Sequence, residues 1–270
     1  MMQAVIPALA LLLAADIGSA PNGLELGYLQ MYDLQFAAAH KTFADYAQVY
    51  PDDPLAPVSD AAAYLFAEFD RLKILQSEFF VHDENFRGQH QKLVADPAVR
   101  KAFNEDLAKA DKLATGALRA MPRDSNALFA SVMVLGLRAD FDGLIDKRDL
   151  SALASVKTGR AIAERLLTID PTYYDAHLAV GVENYMLSLK AAPVRWFLQL
   201  AGAQTDRQVG VERLTLTAEK GHYLKPYARL LLAVDALRRK DTSKAREILT
   251  GLTQQFPHNR LYVEELARLQ

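Results

Sequence analysis

Residues 23–51 read GLELGYLQMYDLQFAAAHKTFADYAQVYP, and the ending of this stretch decides the fold because it returns. Gln48-Val49-Tyr50-Pro51 is echoed by Arg119-Ala120-Met121-Pro122, Thr168-Ile169-Asp170-Pro171 and Gln254-Gln255-Phe256-Pro257. Each closes a segment of helical periodicity. Proline stops a helix because it donates no backbone hydrogen bond and restricts the residue before it. Aligned on the four prolines, a small residue stands twelve positions upstream (Ala39, Ala110, Gly159, Ala245) and an apolar one eight positions upstream (Phe43, Ala114, Ala163, Leu249). Eight positions after the first three prolines stand Ser59, Ala130 and Ala179, again small. Small residues let two antiparallel helices approach at their crossing, and the larger residue one turn later fills the gap toward the next pair. One pair cannot bury its apolar faces alone, so several must stack.

Outward from this register, residues 61–75 (AAAYLFAEFDRLKIL), 105–120 and 153–168 repeat the helical spacing, and strand alternation is not found. Glycine and proline fall mostly between such stretches, and nothing reads as a low-complexity linker. The expected fold class is all-α, an antiparallel helix-pair solenoid forming a single domain over residues 21–270. The proline spacings of 71, 49 and 86 residues call for two inserted segments, near 140–152 and 190–206. Gly210-x-x-x-Leu214, ending at Gly221-His222, reads as a degenerate pair that lacks its proline.

Within residues 23–51, Leu26-Gly27, Ala39-x-x-x-Phe43 and Pro51 stand at separations that resemble a tetratricopeptide repeat. The last repeat, residues 226–257, is similar at Leu232-Ala233, Ala245 and Pro257. Two family positions depart: Gly23 stands where the family has Trp, and Gln30 where it has Tyr. The resemblance implies about five degenerate repeats in a right-handed superhelix. It also implies a concave groove lined by the first helix of each pair. Carried over from the prolines, the groove positions fall on Asp53, Asp60 and Tyr64, on Asp124 and Ser131, and on Tyr173, Glu183 and Asn184, while the first repeat adds Tyr28, Met31 and Tyr32. That mixed apolar, aromatic and acidic set lacks the Lys/Arg/Asn cluster by which some relatives clamp a terminal carboxylate. The implied function is non-enzymatic binding of a protein or peptide carrying apolar and basic residues.

Composition agrees with a globular chain: 51% of residues are apolar and 24% charged. A net charge of −2 argues against nucleic acid as partner. Charge is uneven, with +5 over residues 195–270 and −7 over the rest, which reads as solvated helix faces. The absence of cysteine removes disulfides, thiolate metal sites and thiol nucleophiles. Ala4 to Ala15 (AVIPALALLLAA), followed by Gly18-Ser19-Ala20, resembles a cleavable export segment over residues 1–20, and export to a periplasm-like space is expected. Its twelve apolar residues are too few to span a bilayer, so no transmembrane segment is expected. No basic residue precedes it, and the paired Met1-Met2 leaves a start upstream open. An apolar first helix in a cytoplasmic protein is the alternative.

Motifs of chemistry are largely missing. No glycine-rich phosphate loop, nucleophile elbow or H-E-x-x-H occurs, and no two histidines stand three or four apart, so neither cofactor nor metal is expected. His82-Asp83-Glu84 with His90 reads as a polar turn. Asp140-x-Asp142-Gly143-x-x-Asp146 is similar to a calcium loop but lacks its closing ligand, and reads as a helix-ending turn with capping aspartates. Asp175, His177 and Glu183 support a runner-up reading, an all-helical enzyme using carboxylates. A structural subunit of a cell-envelope assembly is a third. The aromatic run Glu78-Phe79-Phe80-Val81-His82, with Phe86 and Phe103, and the pair Trp196-Phe197 are expected to fill the inserted segments.

Overall fold

The computed structural model describes residues 22–75, 93–188 and 204–269. Among them are eleven α-helices and no strand: α1 Gly23–Tyr32, α2 Phe36–Val49, α3 Leu55–Leu72, α4 Pro97–Ala120, α5 Ser125–Asp140, α6 Asp149–Ile169, α7 His177–Ser188, α8 Arg207–Lys220, α9 Lys225–Arg238, α10 Thr242–Gln255 and α11 Arg260–Ala267. Each helix packs chiefly on its neighbours in sequence, so the chain reads as helix pairs α1/α2, α3/α4, α5/α6, α7/α8 and α9/α10 with α11 behind them. The first helices also touch in turn, α1 against α3 and α3 against α5. The apolar segment of residues 1–20, the histidine cluster at 82–90, the aromatics at 79–86 and Trp196-Phe197 lie outside the described residues. Among the described residues no helix is long and apolar enough to cross a membrane.

The four prolines build one turn four times. The residue before each, Tyr50, Met121, Asp170 or Phe256, has φ between −134° and −125° and ψ between 68° and 92°. These angles lie outside the helical region, which proline closes to the residue before it. The N–H of the residue two beyond each proline then donates back to that preceding residue: Asp53 to Tyr50, Asp124 to Met121, Tyr173 to Asp170 and Asn259 to Phe256, at 3.0–3.2 Å. Asp124 and Asn259 use their side chains at once to cap the next helix, accepting from the N–H of Ala127 and of Leu261. At the start of the chain Asn22 and Glu25 form a reciprocal capping box.

Small residues stand where the helices cross. Ala39, Ala110 and Ala245 have no exposed surface. Phe43 lies against the bare backbone of Gly27, where a β-carbon would come within 2.2 Å of the ring. In the pair without its proline, Gly210 meets the backbone of Tyr185 just as closely, a position for a β-carbon lying 2.7 Å from its nitrogen. Burying Phe43 and Leu249, which are 1% and 0% exposed, contributes about 2 kcal/mol each. The predicted insertion near 140–152 is a five-residue π turn, Phe141–Ile145, followed by Lys147 in the left-handed region.

The two ends of the described chain meet. Asp33, which follows α1, accepts hydrogen bonds from the backbone N–H and the ring Nδ1 of His258, at 2.9 and 2.7 Å. Asn259 donates to the Tyr32 carbonyl at 2.7 Å, and Arg260 reaches Asp70 at 3.0 Å. Tyr28 packs on Tyr223 with ring centres 5.1 Å apart, and Phe66 meets Tyr227 at 5.5 Å. The faces of the first helices are therefore turned onto one another around a shared interior.

Candidate functional site

That interior contains a cavity of about 90 Å³ that opens to solvent at its mouth. Every first helix contributes to its wall: Met31 from α1, Phe66 from α3, Leu137 from α5, Val182 from α7 and Tyr227 from α9, with Val156 and Gly159 of α6 behind. The wall is mostly aliphatic and aromatic. Gly136, on the cavity side of α5, is exposed and has no atom within 4 Å of where a β-carbon would stand, so the space there is open.

The inward positions follow the proline register. Ala62, Met133 and Val182 line the cavity, each eleven residues after Pro51, Pro122 or Pro171. Phe66 and Leu137 follow at fifteen. Of the groove residues expected from sequence in these repeats, Asp60 and Ser131 stand two residues earlier in phase, which on an α-helix is a rotation of about 200°. They face neighbouring helices and turns instead. Asp53 accepts from the Tyr46 hydroxyl and the Leu55 N–H. Asp124 caps α5, and Ser131 bonds back to the Ala127 carbonyl within that helix. Tyr173 stacks on Phe129 with centres 4.9 Å apart and donates to Asn126.

Glu183 and Asn184 are buried, both 1% exposed, and hold the chain where it returns to α8. Glu183 lies 2.7 Å from Arg160 and accepts from the Gln204 N–H, while Asn184 accepts from the Asp206 N–H. In the first repeat the expected positions do line the cavity, with Tyr28, Met31 and Tyr32 at 3%, 0% and 2% exposure. The Ser59 hydroxyl donates to the Tyr28 hydroxyl. The Tyr32 hydroxyl is buried and has no hydrogen-bond partner among the described residues.

The carboxylates singled out from sequence part company. Asp142 takes Ser151 and Arg148, and Asp146 takes Arg100 bidentately, so these two share no ligand with Asp140. Among the described residues no group of three metal-ligating side chains converges. Asp175 accepts the N–H groups of His222, Tyr223 and Leu224 at the start of α9. Burial nevertheless holds its carboxyl above the usual range. His177 sits 3.1 Å from Arg213, and burial, followed by that guanidinium, pushes the imidazole down to about 4.

Asp140 differs from all of these. It ends α5 at the cavity wall and makes no side-chain capping bond to the turn that follows. No hydrogen bond or ion pair to its carboxyl is present among the described residues. It is half-buried and keeps part of its surface open at the cavity wall; desolvation pushes its carboxyl up to about 7. Tyr227 of α9 lies within its electrostatic reach. Sequence reasoning read Asp140 as a capping residue; only the position of the cavity shows otherwise.

A second titratable cluster joins α2, α3 and α4 outside the cavity wall. His40 Nδ1 lies 2.5 Å from Asp60, Tyr64 covers the His40 ring at 4.1 Å, and the Asp106 carboxyl stands close enough to Asp60 to feel its charge. Burial, then the Asp60 charge, pushes Asp106 up. Asp60 and Tyr64, both expected in the groove, are thus brought together by the fold in a surface cluster. No protein-family model matches this chain, and no curated protein matches it either.

Proposed function

We propose that the protein is a tetratricopeptide-type repeat protein, exported through its apolar N-terminal segment, that binds a protein or peptide and performs no chemistry of its own. Its binding site is the cavity enclosed by the first helices. The observation that carries this reading is the arrangement of the wall: all five first helices turn an apolar residue into one space. These are the helices that line the binding groove in the family the sequence resembles. Here the inward faces meet, so the site takes a compact apolar group, such as the terminal residue of a peptide. An extended segment laid along a groove does not fit it. Apolar contact supplies affinity in such a cavity, and its few polar groups set orientation.

The test is calorimetric titration of residues 21–270 with 1-octanol as an apolar probe, beside the Gly136→Trp variant. A β-carbon at that position would have no atom within 4 Å, so the backbone admits a side chain there. Saturable one-to-one binding that is lost in the variant, with unchanged helicity, supports the cavity as the site. Equal binding by both proteins, or by neither, ends the reading.

A further inference from the structure

We propose that the cavity recognises an ammonium group carried on an apolar body, and that Asp140 is the residue that receives it. The inference rests on the preceding reading of the cavity as a binding site and adds the chemistry of the occupant.

The argument begins with a cost. A carboxylate taken into an apolar space is destabilising unless it is paired or hydrogen-bonded. The other carboxylates buried in this fold meet that condition. Asp175 has three backbone N–H donors, Asp235 has Arg207 and Arg239, Glu68 has Arg71 and the Asp96 N–H, and Glu183 has Arg160 and the Gln204 N–H. Asp140 has none of these among the described residues and instead faces open space. A serine, asparagine or leucine at the same position would avoid the penalty. A half-buried carboxylate with no protein partner in the wall of an apolar cavity is the pattern of a site whose partner arrives with the ligand.

The partner's chemistry follows from the wall. The missing group is a cation with N–H donors, because the carboxylate supplies charge and acceptors. Around it stand the rings of Tyr28, Tyr32, Phe66 and Tyr227 and the aliphatic side chains of Leu137 and Val182. Aromatic faces attract ammonium groups, and the wall's other carboxylate, Asp175, is already taken by three backbone N–H donors, so the rest of the wall suits an apolar body. The body attached to the amine is therefore apolar. An ammonium on an apolar body has two sources, a small amine or the free N-terminus of a peptide that begins with apolar residues.

The experiment titrates the full chain, by calorimetry, with octylamine, 1-octanol and octanoate, and with Leu-Phe-amide and its N-acetyl form. The same series is run on Asp140→Asn, which keeps the side chain's shape and removes the charge. The expected result is that octylamine binds at least tenfold more tightly than 1-octanol, that octanoate does not bind, and that Asp140→Asn erases the preference for the amine while leaving 1-octanol binding unchanged. Binding of Leu-Phe-amide but not of its acetylated form assigns the peptide N-terminus as the source; octylamine alone assigns a small amine. Equal affinity for octylamine and 1-octanol, or an amine preference that survives Asp140→Asn, overturns the ammonium proposal while the cavity still binds. Failure of every probe, 1-octanol included, overturns the cavity reading itself.

Discussion

Asp33 and His258, 225 positions apart, are joined by two hydrogen bonds, from the backbone N–H and the ring Nδ1 of His258 to the two oxygens of the same carboxylate. The pair ties the end of the first helix to the start of the last. It is the most direct link in the closure that converts the faces of the first helices into an interior. Replacing Asp33 with Ala should cost about 1–3 kcal/mol, because the His258 N–H, the His258 ring and the Gln35 side-chain amide lose their acceptor together. Chemical denaturation measures the cost, and hydrogen exchange should rise at residues 30–34 and 256–262 before it rises at α5. Uniform loosening throughout the chain would mean that the link is not a local closure.

The titration of Asp140 carries a signed expectation. Its carboxyl stands at about 7 in the folded protein against 3.8 ordinarily, so the folded state binds more protons than the unfolded one between these values. Stability present at low pH is therefore lost as pH rises through that interval. Asp140→Asn should be more stable than the parent by about 1–2 kcal/mol at pH 8 and nearly equal to it at pH 4. Asp106, raised by burial and by the Asp60 carboxylate, acts with the same sign, so Asp106→Asn should remove a further share of the slope. Denaturant titrations at the two pH values give both differences. A variant less stable than the parent at pH 8 would show that Asp140 has a partner.

Glycines separate into two kinds that substitution should distinguish. Gly27→Ala drives a methyl group into the Phe43 ring and should cost about 2–3 kcal/mol. Part of that loss should return in the double variant Gly27→Ala with Phe43→Leu. Gly116 and Gly251 lie inside helices with nothing near the added carbon, so alanine there should stabilise by about 0.5–1 kcal/mol. Thermal unfolding of the four proteins tests the contrast.

Glu183→Gln should be severe for a residue that touches no ligand, costing about 3 kcal/mol or more. It leaves the Arg160 guanidinium without its buried counter-charge and weakens the grip on the Gln204 N–H. Limited proteolysis near residues 204–206 should accelerate in step with the loss of stability. An unchanged cleavage rate would separate the ion pair from the anchoring of that turn.

Much of the local structure was legible. The prolines locate four helix ends to the residue, because the restriction that proline places on its neighbour acts within one peptide unit. The degenerate pair around Gly210 and Leu214 is also where its small residue placed it, since helix crossings need close backbone approach whatever the flanking turn. Of the positions expected to face a groove, Tyr28, Met31 and Tyr32 line the cavity. Further along the chain the expected positions Asp60, Glu183 and Asn184 stand one or two residues to either side of Ala62 and Val182, which line the cavity. Helix phase turns by about 100° per residue, so a register good enough to place an end is too coarse to choose a face.

The sequence by itself determined an all-helical chain, the positions of its turns and the close crossings at Ala39, Ala110 and Ala245, because each follows from rules acting over one or two helical turns. The tertiary structure alone decided that the first helices face one another across a cavity, and that Asp140 rather than a better-advertised carboxylate stands unpaired in its wall. Those outcomes depend on how all the helix pairs pack on one another so that Asp33 meets His258. No local pattern encodes that packing.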